Sequence, residues 1–223
     1  KKTDFLPILD SKKYQKKILI IDNRYTLDNF ACFIFAGGKG KRLWPLSKKI
    51  PKPLIKIENK SLIEMIINKV NKIKINNFFV SLNYKKDLII NELKSKKFST
   101  VNISFLKERK MLGTAGSLSL INDTKFENLL IINCDVLTKL DLTKFINYFV
   151  EFEFDVLIGA ATLNYDIPYG IIKDNQGKLI NIDEKPKETL KVASGIYLMK
   201  SSFIKYVKKN TYLDMPEFIK KLI

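Results

Sequence analysis

From Phe30 onward the chain switches repeatedly between two hydrophobic patterns. ACFIFA (31–36), NFFVSL (77–82), VNISFL (101–106), NLLIIN (128–133), FDVLIGAAT (154–162) and VASGIYLM (192–199) have strand length and near-continuous apolar character, as expected of strands covered on both faces. Between them, apolar positions recur at helical spacing. Leu62, Ile63, Ile66, Ile67, Val70 and Ile73 form one such stripe, and Ser61 followed by Glu64 is a capping box that opens it. Tyr84 to Leu93 reads as a second helix, and Leu142, Phe145, Ile146 and Phe149 mark a third with Asp141 as its N-cap. Pro168 to Glu184 looks like a hairpin with Asn175-Gln176-Gly177 near its turn, and two short helices are expected after Met199. Strands alternating with helices predict βαβ units, hence an α/β fold with a mixed, mostly parallel sheet flanked by helices.

Residues 1–27 differ in character. FLPILD, a turn-like SKKYQKK and ILIID read as two short strands joined by a charged loop, so the chain divides into an N-terminal β-extension (1–27) and a core (28–223). A length of 223 residues accommodates one sizeable α/β domain and little more. The sequence opens Lys-Lys-Thr without an initiator Met, which reads as a trimmed piece of a longer chain. No apolar run reaches the roughly 18 residues of a membrane span, and Asp4, Pro7 and Asp10 interrupt any signal-peptide core. Cys32 and Cys134 both fall in apolar runs. They are expected to be buried thiols, which fits a reducing cytoplasm.

A net charge of +17 suggests nucleic acid. However, the cations are nearly all Lys, with Arg24, Arg42 and Arg109 the only arginines, and they are scattered along every helix. Readers of bases and phosphates favour the bidentate Arg fork, so no nucleic-acid partner is expected, and no membrane partner either. The absence of His removes His-based zinc sites, Ser-His-Asp triads and imidazole acid–base chemistry together.

The chemistry concentrates in Ala31 to Leu54, ACFIFAGGKGKRLWPLSKKIPKPL. A strand breaks into Gly37, Gly38 and Gly40, then presents Lys41 and Arg42, and later Lys52 between Pro51 and Pro53. Glycines let backbone N–H groups approach an anion, and the cations neutralise it. A Walker A loop, GxxxxGK[ST], is absent, and the third glycine of a GxGxxG fingerprint is replaced by Leu43. GGKGKRLWPLS followed by PKPL resembles instead the signature of the sugar-1-phosphate nucleotidyltransferases, with Lys41 where the family commonly has Thr. The resemblance implies a Rossmann-like nucleotide-diphospho-sugar transferase fold. It implies that Ala36, Gly37, Gly38, Gly40 and Lys41 belong to the nucleotide site, that Arg42 helps hold the β- and γ-phosphates, and that Lys52 reaches the α-phosphate and the sugar phosphate. Trp44 and Pro45 are read as packing residues that stiffen the loop.

Other segments carry the same resemblance. LGTAG (112–116), containing Gly113, Thr114 and Ala115, matches a segment bordering base and ribose, where free amides can meet a polar ligand; an ordinary strand-to-helix turn is the other reading. Asn83 resembles a position near the base and could equally cap a helix. Asp135, closing an apolar strand, resembles the family's Mg²⁺-binding aspartate. Tyr169-Gly170, Glu184-Lys185-Pro186 and Ser194-Gly195 resemble the side that binds the sugar and its phosphate, with Ser194 where Asn is usual. The family's second metal carboxylate lies in a W-x-D-[IV]-G segment expected beyond Ile223, so Asp214 is not assigned to metal and the metal site is expected to be incomplete here.

Together these motifs imply transfer of a nucleotidyl group from a nucleoside triphosphate, GTP favoured, to a sugar 1-phosphate such as glucosamine 1-phosphate, for surface-glycan or nonulosonate synthesis. The N-terminal lead resembles the tail of a cystathionine-β-synthase-type (CBS) module, as in guanylyltransferases that activate glucosamine 1-phosphate for legionaminic acid; a plain β-extension is the alternative. WPLS also resembles mannose-1-phosphate guanylyltransferases. Thymidylyl-, uridylyl- or cytidylyl transfer, or a catalytically silent sugar-nucleotide-binding subunit, remain as rival readings. A homo-oligomer is compatible with all of them.

Overall fold

A computed structural model describes residues 5–7, 27–40, 44–96, 98, 100–122 and 125–223, with backbone alone at 5–7 and Leu46. In chain order the strands and helices are β1 (Phe5–Pro7), β2 (Phe30–Phe35), α1 (Leu46–Lys49), β3 (Lys56–Ile57), β4 (Lys60–Ser61), α2 (Leu62–Asn71), β5 (Asn77–Leu82), α3 (Lys86–Ser95) and β6 (Asn102–Lys107). They continue with α4 (Gly113–Gly116), β7 (Asn128–Asn133), α5 (Leu142–Glu151), β8 (Val156–Asp166), β9 (Ile171–Asn175), β10 (Lys178–Asp183), β11 (Lys187–Lys200) and α6 (Met215–Leu222). A seven-stranded sheet in the order β1-β8-β11-β7-β2-β5-β6 forms the centre. β7, β2, β5 and β6 are mutually parallel, while β11 runs antiparallel to β7 and β8, and β1 antiparallel to β8. The predicted mixed, mostly parallel sheet is therefore the one observed.

The continuous apolar character of the strands follows from burial on both faces. Along β2, Phe30, Cys32 and Ile34 enter one core and Ala31 and Phe33 the other. β7 splits in the same way, Leu130 and Ile132 against Leu129 and Ile131. The first core is closed by the stripes of α2, α3 and α5, the second by residues around α4 and α6. Both cysteines are buried free thiols, and burial pushes the Cys134 thiol up to about 12. No helix among the described residues is long and apolar enough to cross a membrane.

Local signals acted largely as expected. Ser61 Oγ accepts from the Glu64 amide at 3.4 Å, but the Glu64 carboxylate pairs with Lys96 instead of reaching back to complete the box. Asp141 Oδ1 accepts from the Lys144 amide at 3.1 Å and caps α5. Asp141→Ala should remove about 1 kcal/mol of stability and lower the melting temperature by about 2–4 °C, measurable by circular dichroism. The hairpin β9–β10 turns through Gln176 and Gly177, both at positive φ, as a two-residue turn requires.

Three boundaries differ from the sequence reading. α3 begins at Lys86, not Tyr84, because Lys85 adopts a left-handed conformation (φ +50°) and donates to the Lys48 and Lys49 carbonyls at 2.6 and 2.8 Å. β8 and β11 run further than their apolar segments, since they pair along an exposed arm, of mixed polar and apolar residues, reaching Asp166 and Lys187. Phe5–Pro7 adds to the outer edge of β8 opposite Gly159–Ala161, whereas ILIID lies outside the described residues.

Candidate active site

β2, β5, β6 and β7 end side by side, and the polar residues that follow them share one edge of the sheet. The backbone after β2 is tied to its neighbours: Ala36 N–H donates to the Ser81 carbonyl at 3.0 Å, and Cys134 N–H to the Phe35 carbonyl at 3.1 Å. Gly40, at φ +61°, abuts Lys52 and Ser47, whose β-carbons lie 3.3 Å from where its own Cβ would stand, and Ser47 Oγ donates to its carbonyl at 2.8 Å. A side chain there would meet both conformational strain and contact. Gly37 and Gly38 precede it on the same turn. Lys41 and Arg42 lie outside the described residues.

Lys52 starts a short 3₁₀ turn (Lys52–Leu54) between two prolines, and its ammonium donates to Asp135 Oδ2. The two side chains are 25% and 39% exposed, so the pair faces the open edge. Asp135 lies two residues beyond β7, at the same open edge. Among the described residues no cluster of three His, Cys, Asp or Glu gathers. Magnesium held jointly with substrate phosphates needs only one or two protein carboxylates, and here a cation, the Lys52 ammonium, already sits on Asp135. The residues present fit that role.

Asn83 does not cap α3; its Nδ2 donates to the Glu108 carbonyl at 3.5 Å. Glu108 itself went unnoticed in the sequence. It follows β6 immediately, and a carboxylate closing a strand just before a glycine segment was the available signal. Glu108 is 4% exposed. Oε2 accepts the Leu112 amide at 3.0 Å, while Oε1 is buried with no hydrogen-bond partner among the described residues. That oxygen lies against the glycine turn, 2.6 Å from where a Cβ on Gly37 would stand. Burial raises the Glu108 carboxyl above its ordinary value; the Leu112 amide and the nearby Ser81 hydroxyl temper the rise, the latter without completing a hydrogen bond.

The LGTAG segment is not a loop ahead of a helix but is itself the one-turn α4. Its amides face inward: Ala115 and Gly116 N–H both donate to the Leu213 carbonyl at 2.9 Å, and Thr114 N–H donates to Asp214 Oδ1 at 3.2 Å. Those amides are unavailable to a ligand. Asp214 accepts from Thr114 and from the Tyr212 hydroxyl.

Tyr169, Gly170, Glu184 and Lys185 gather at the base of the exposed hairpin. Glu184 Oε2 is 3.0 Å from where a Gly170 Cβ would lie, and Lys185 Nζ is 3.8 Å from Glu184 Oε1. Ser194 stands apart from them in a register break of β11, donating to the Gly159 carbonyl at 2.8 Å. A Cβ on Gly195 would come 2.8 Å from Asn133 Nδ2, which places this bulge beside the end of β7, two residues before Asp135. Trp44, expected to pack, is 46% exposed, and the Lys48 ammonium lies over its ring at 4.5 Å.

In an open α/β sheet, ligands bind at the carboxyl ends of the parallel strands, the edge where the polar groups gather here. Residues 31–223 match the Nucleotidyl transferase family, and the chain belongs to it. It is 30% identical over 201 residues to the bifunctional protein GlmU of Methanococcus aeolicus, covering 85% of this chain and 46% of that protein. It is 29% identical over 182 residues to mannose-1-phosphate guanylyltransferase 1 of Arabidopsis thaliana, covering 77% and 50%. The chain thus spans about half the length of these relatives. HddC from Yersinia pseudotuberculosis has the same fold, with a TM-score of 0.63 at 27% identity over 82% of this chain and 81% of that one. The HddC complex with GMP-PN gives 0.63 at 25% identity, covering 82% of each.

Proposed function

We propose that this chain transfers the guanylyl group of GTP to a sugar 1-phosphate. The observation that carries the proposal is the Lys52–Asp135 pair, held against Gly40 at the open end of the glycine turn. A phosphate oxygen of the sugar 1-phosphate attacks the α-phosphorus, the bond to the β-phosphate oxygen breaks, and pyrophosphate leaves with its electron pair. The nucleophile is already anionic at neutral pH, so no general base is needed and a His-free site suffices. Catalysis comes from positioning and charge neutralisation. Lys52 and, by family resemblance, Arg42 neutralise the phosphates. Asp135 would hold Mg²⁺, which supplies additional charge neutralisation on the triphosphate when bound.

Glu108 supports guanine. Guanine alone presents two adjacent N–H donors, N1–H and the 2-amino group, to a carboxylate. Uracil, thymine, cytosine and adenine set an acceptor beside their donor and would be repelled. The solved complex of HddC with GMP-PN and the relatives that are mannose-1-phosphate guanylyltransferases favour the same base. On the sugar side, the exposed Glu184 carboxylate suits the ammonium or hydroxyls of glucosamine 1-phosphate, with Lys185 for its phosphate and Tyr169, Gly170 and Ser194 around them. The nucleotide would lie over Ala36, Gly37, Gly38 and Gly40, with Asn83, Gly113, Thr114 and Ala115 bordering the base through packing and orientation.

A pyrophosphate-release screen pairing four nucleoside triphosphates with several sugar 1-phosphates should give release with GTP and glucosamine 1-phosphate above the other pairs. Release with UTP or dTTP instead would reassign the base. Binding of GTP without release from any pair would favour the silent binding-subunit reading.

A further inference from the structure

We infer that Asp214, at the start of α6, is a positioning residue for base selection: it holds the Gly113–Gly116 turn where the Leu112 amide orients the Glu108 carboxylate. The inference rests on the guanine reading above and extends it to a residue that touches no substrate. Asp214 sits at the N-cap of α6, where an aspartate ordinarily accepts from the second or third helical amide. Its side chain makes no such bond. Oδ1 instead accepts from Thr114 N–H at 3.2 Å and Thr114 Oγ1 at 3.4 Å, across 100 residues of chain. In return Thr114 Oγ1 accepts the Met215 amide at 2.7 Å. Each segment therefore caps the other.

The backbone completes the clamp. Leu213 N–H donates to the Leu112 carbonyl at 2.8 Å, while the Leu213 carbonyl takes the Ala115 and Gly116 amides. The other side of Leu112, its N–H, is the donor to Glu108 Oε2. Displacing residue 214 thus displaces the peptide that aims the carboxylate. There is no slack to absorb such a shift: a Cβ on Gly113 would lie 2.5 Å from the Leu213 carbonyl oxygen, and one on Gly116 2.5 Å from that of Thr211. Tyr212, 57% exposed, donates its hydroxyl to Asp214 Oδ2 at 2.7 Å and holds the carboxylate from the solvent side.

The test reads binding on the full chain by fluorescence of Trp44, its single tryptophan, exposed on the turn that follows the glycines. The probes are GTP, ITP and inorganic tripolyphosphate. ITP lacks the 2-amino donor, so the GTP/ITP ratio reports the carboxylate, and tripolyphosphate reports the phosphate cradle alone. Wild type should prefer GTP by about tenfold, as a bidentate contact predicts. Asp214→Ala should bring the ratio within about twofold and leave tripolyphosphate binding unchanged. Asp214→Asn, which keeps an acceptor for Thr114, should restore most of the ratio. Tyr212→Phe, at an exposed site that does not threaten folding, should lower it by about two- to threefold.

An Asp214→Ala chain that retains the wild-type ratio overturns the inference. So does an unchanged ratio in Tyr212→Phe if the alanine variant does not fold. A wild-type chain that binds tripolyphosphate yet treats GTP and ITP alike overturns the guanine reading itself, and the role of Asp214 with it.

Discussion

Replacing Lys52 with alanine is expected to lower turnover by about 10²–10³-fold, the usual effect of removing one preorganised charge from a developing anion. The melting temperature should stay nearly constant. Lys52 and Asp135 are both partly exposed, and an ion pair in that setting contributes only about 0–1 kcal/mol to stability. The substitution therefore separates a catalytic role from a structural one: a large loss of pyrophosphate release in a chain that melts like wild type. Lys52→Arg should recover little, because a planar fork cannot replace a compact ammonium held between Pro51 and Pro53 beside Gly40. Asp135→Asn should behave like Lys52→Ala in turnover. It should also weaken the dependence on added magnesium, which Lys52→Ala leaves in place. Wild-type turnover in the Lys52→Ala chain would remove the pair from the chemistry and leave it a surface ion pair.

The sequence carried the fold wherever burial dictates residue type. β2 and β7 must be apolar on both faces, so their six-residue runs were legible as buried strands, and Asp141 declared α5 through its cap. Where burial exerts no such pressure the reading fell short. The outer halves of β8 and β11 are exposed and of mixed character, held by ladder bonds that call for no particular side chain. The site divided along similar lines. Glycines followed by lysines suggest a phosphate turn, because backbone approach and charge need those residue types. Glu108 offers only the weak signal of a carboxylate closing a strand ahead of glycines, because its placement arises from a β6 carboxylate meeting the glycine turn after β2 across the β5 strand between them. Nor did LGTAG show that Gly113 and Gly116 make room for the carbonyls of Leu213 and Thr211. That requirement involves residues about a hundred positions away.

Glu108→Gln is expected to move two observables in opposite directions. Catalytic efficiency with GTP should fall by about 10–100-fold, since one of two acceptors offered to the guanine edge becomes a donor facing a donor. Efficiency with UTP should change far less, so the base preference narrows. Stability at neutral pH should rise, because Oε1 is a buried oxygen with no partner among the described residues and the amide carries no charge to desolvate. About 1 kcal/mol of relief would raise the melting temperature by about 2–4 °C in a chain of this size. The sign of the pH dependence follows from the carboxyl being raised from its ordinary 4.5. The native state binds that proton more tightly than the unfolded chain does. Stability from this group is thus fully present below 4.5 and is lost as pH climbs through the raised value. The melting advantage of the glutamine variant should be small below that window and reach its full size above it. A gain in stability with undiminished GTP use would make Glu108 a burial defect with no part in recognition. Loss of GTP use with no gain in stability at any pH would mean that the carboxylate is already neutralised in the folded chain. The two measurements together decide whether a costly buried charge is retained for the base that it reads.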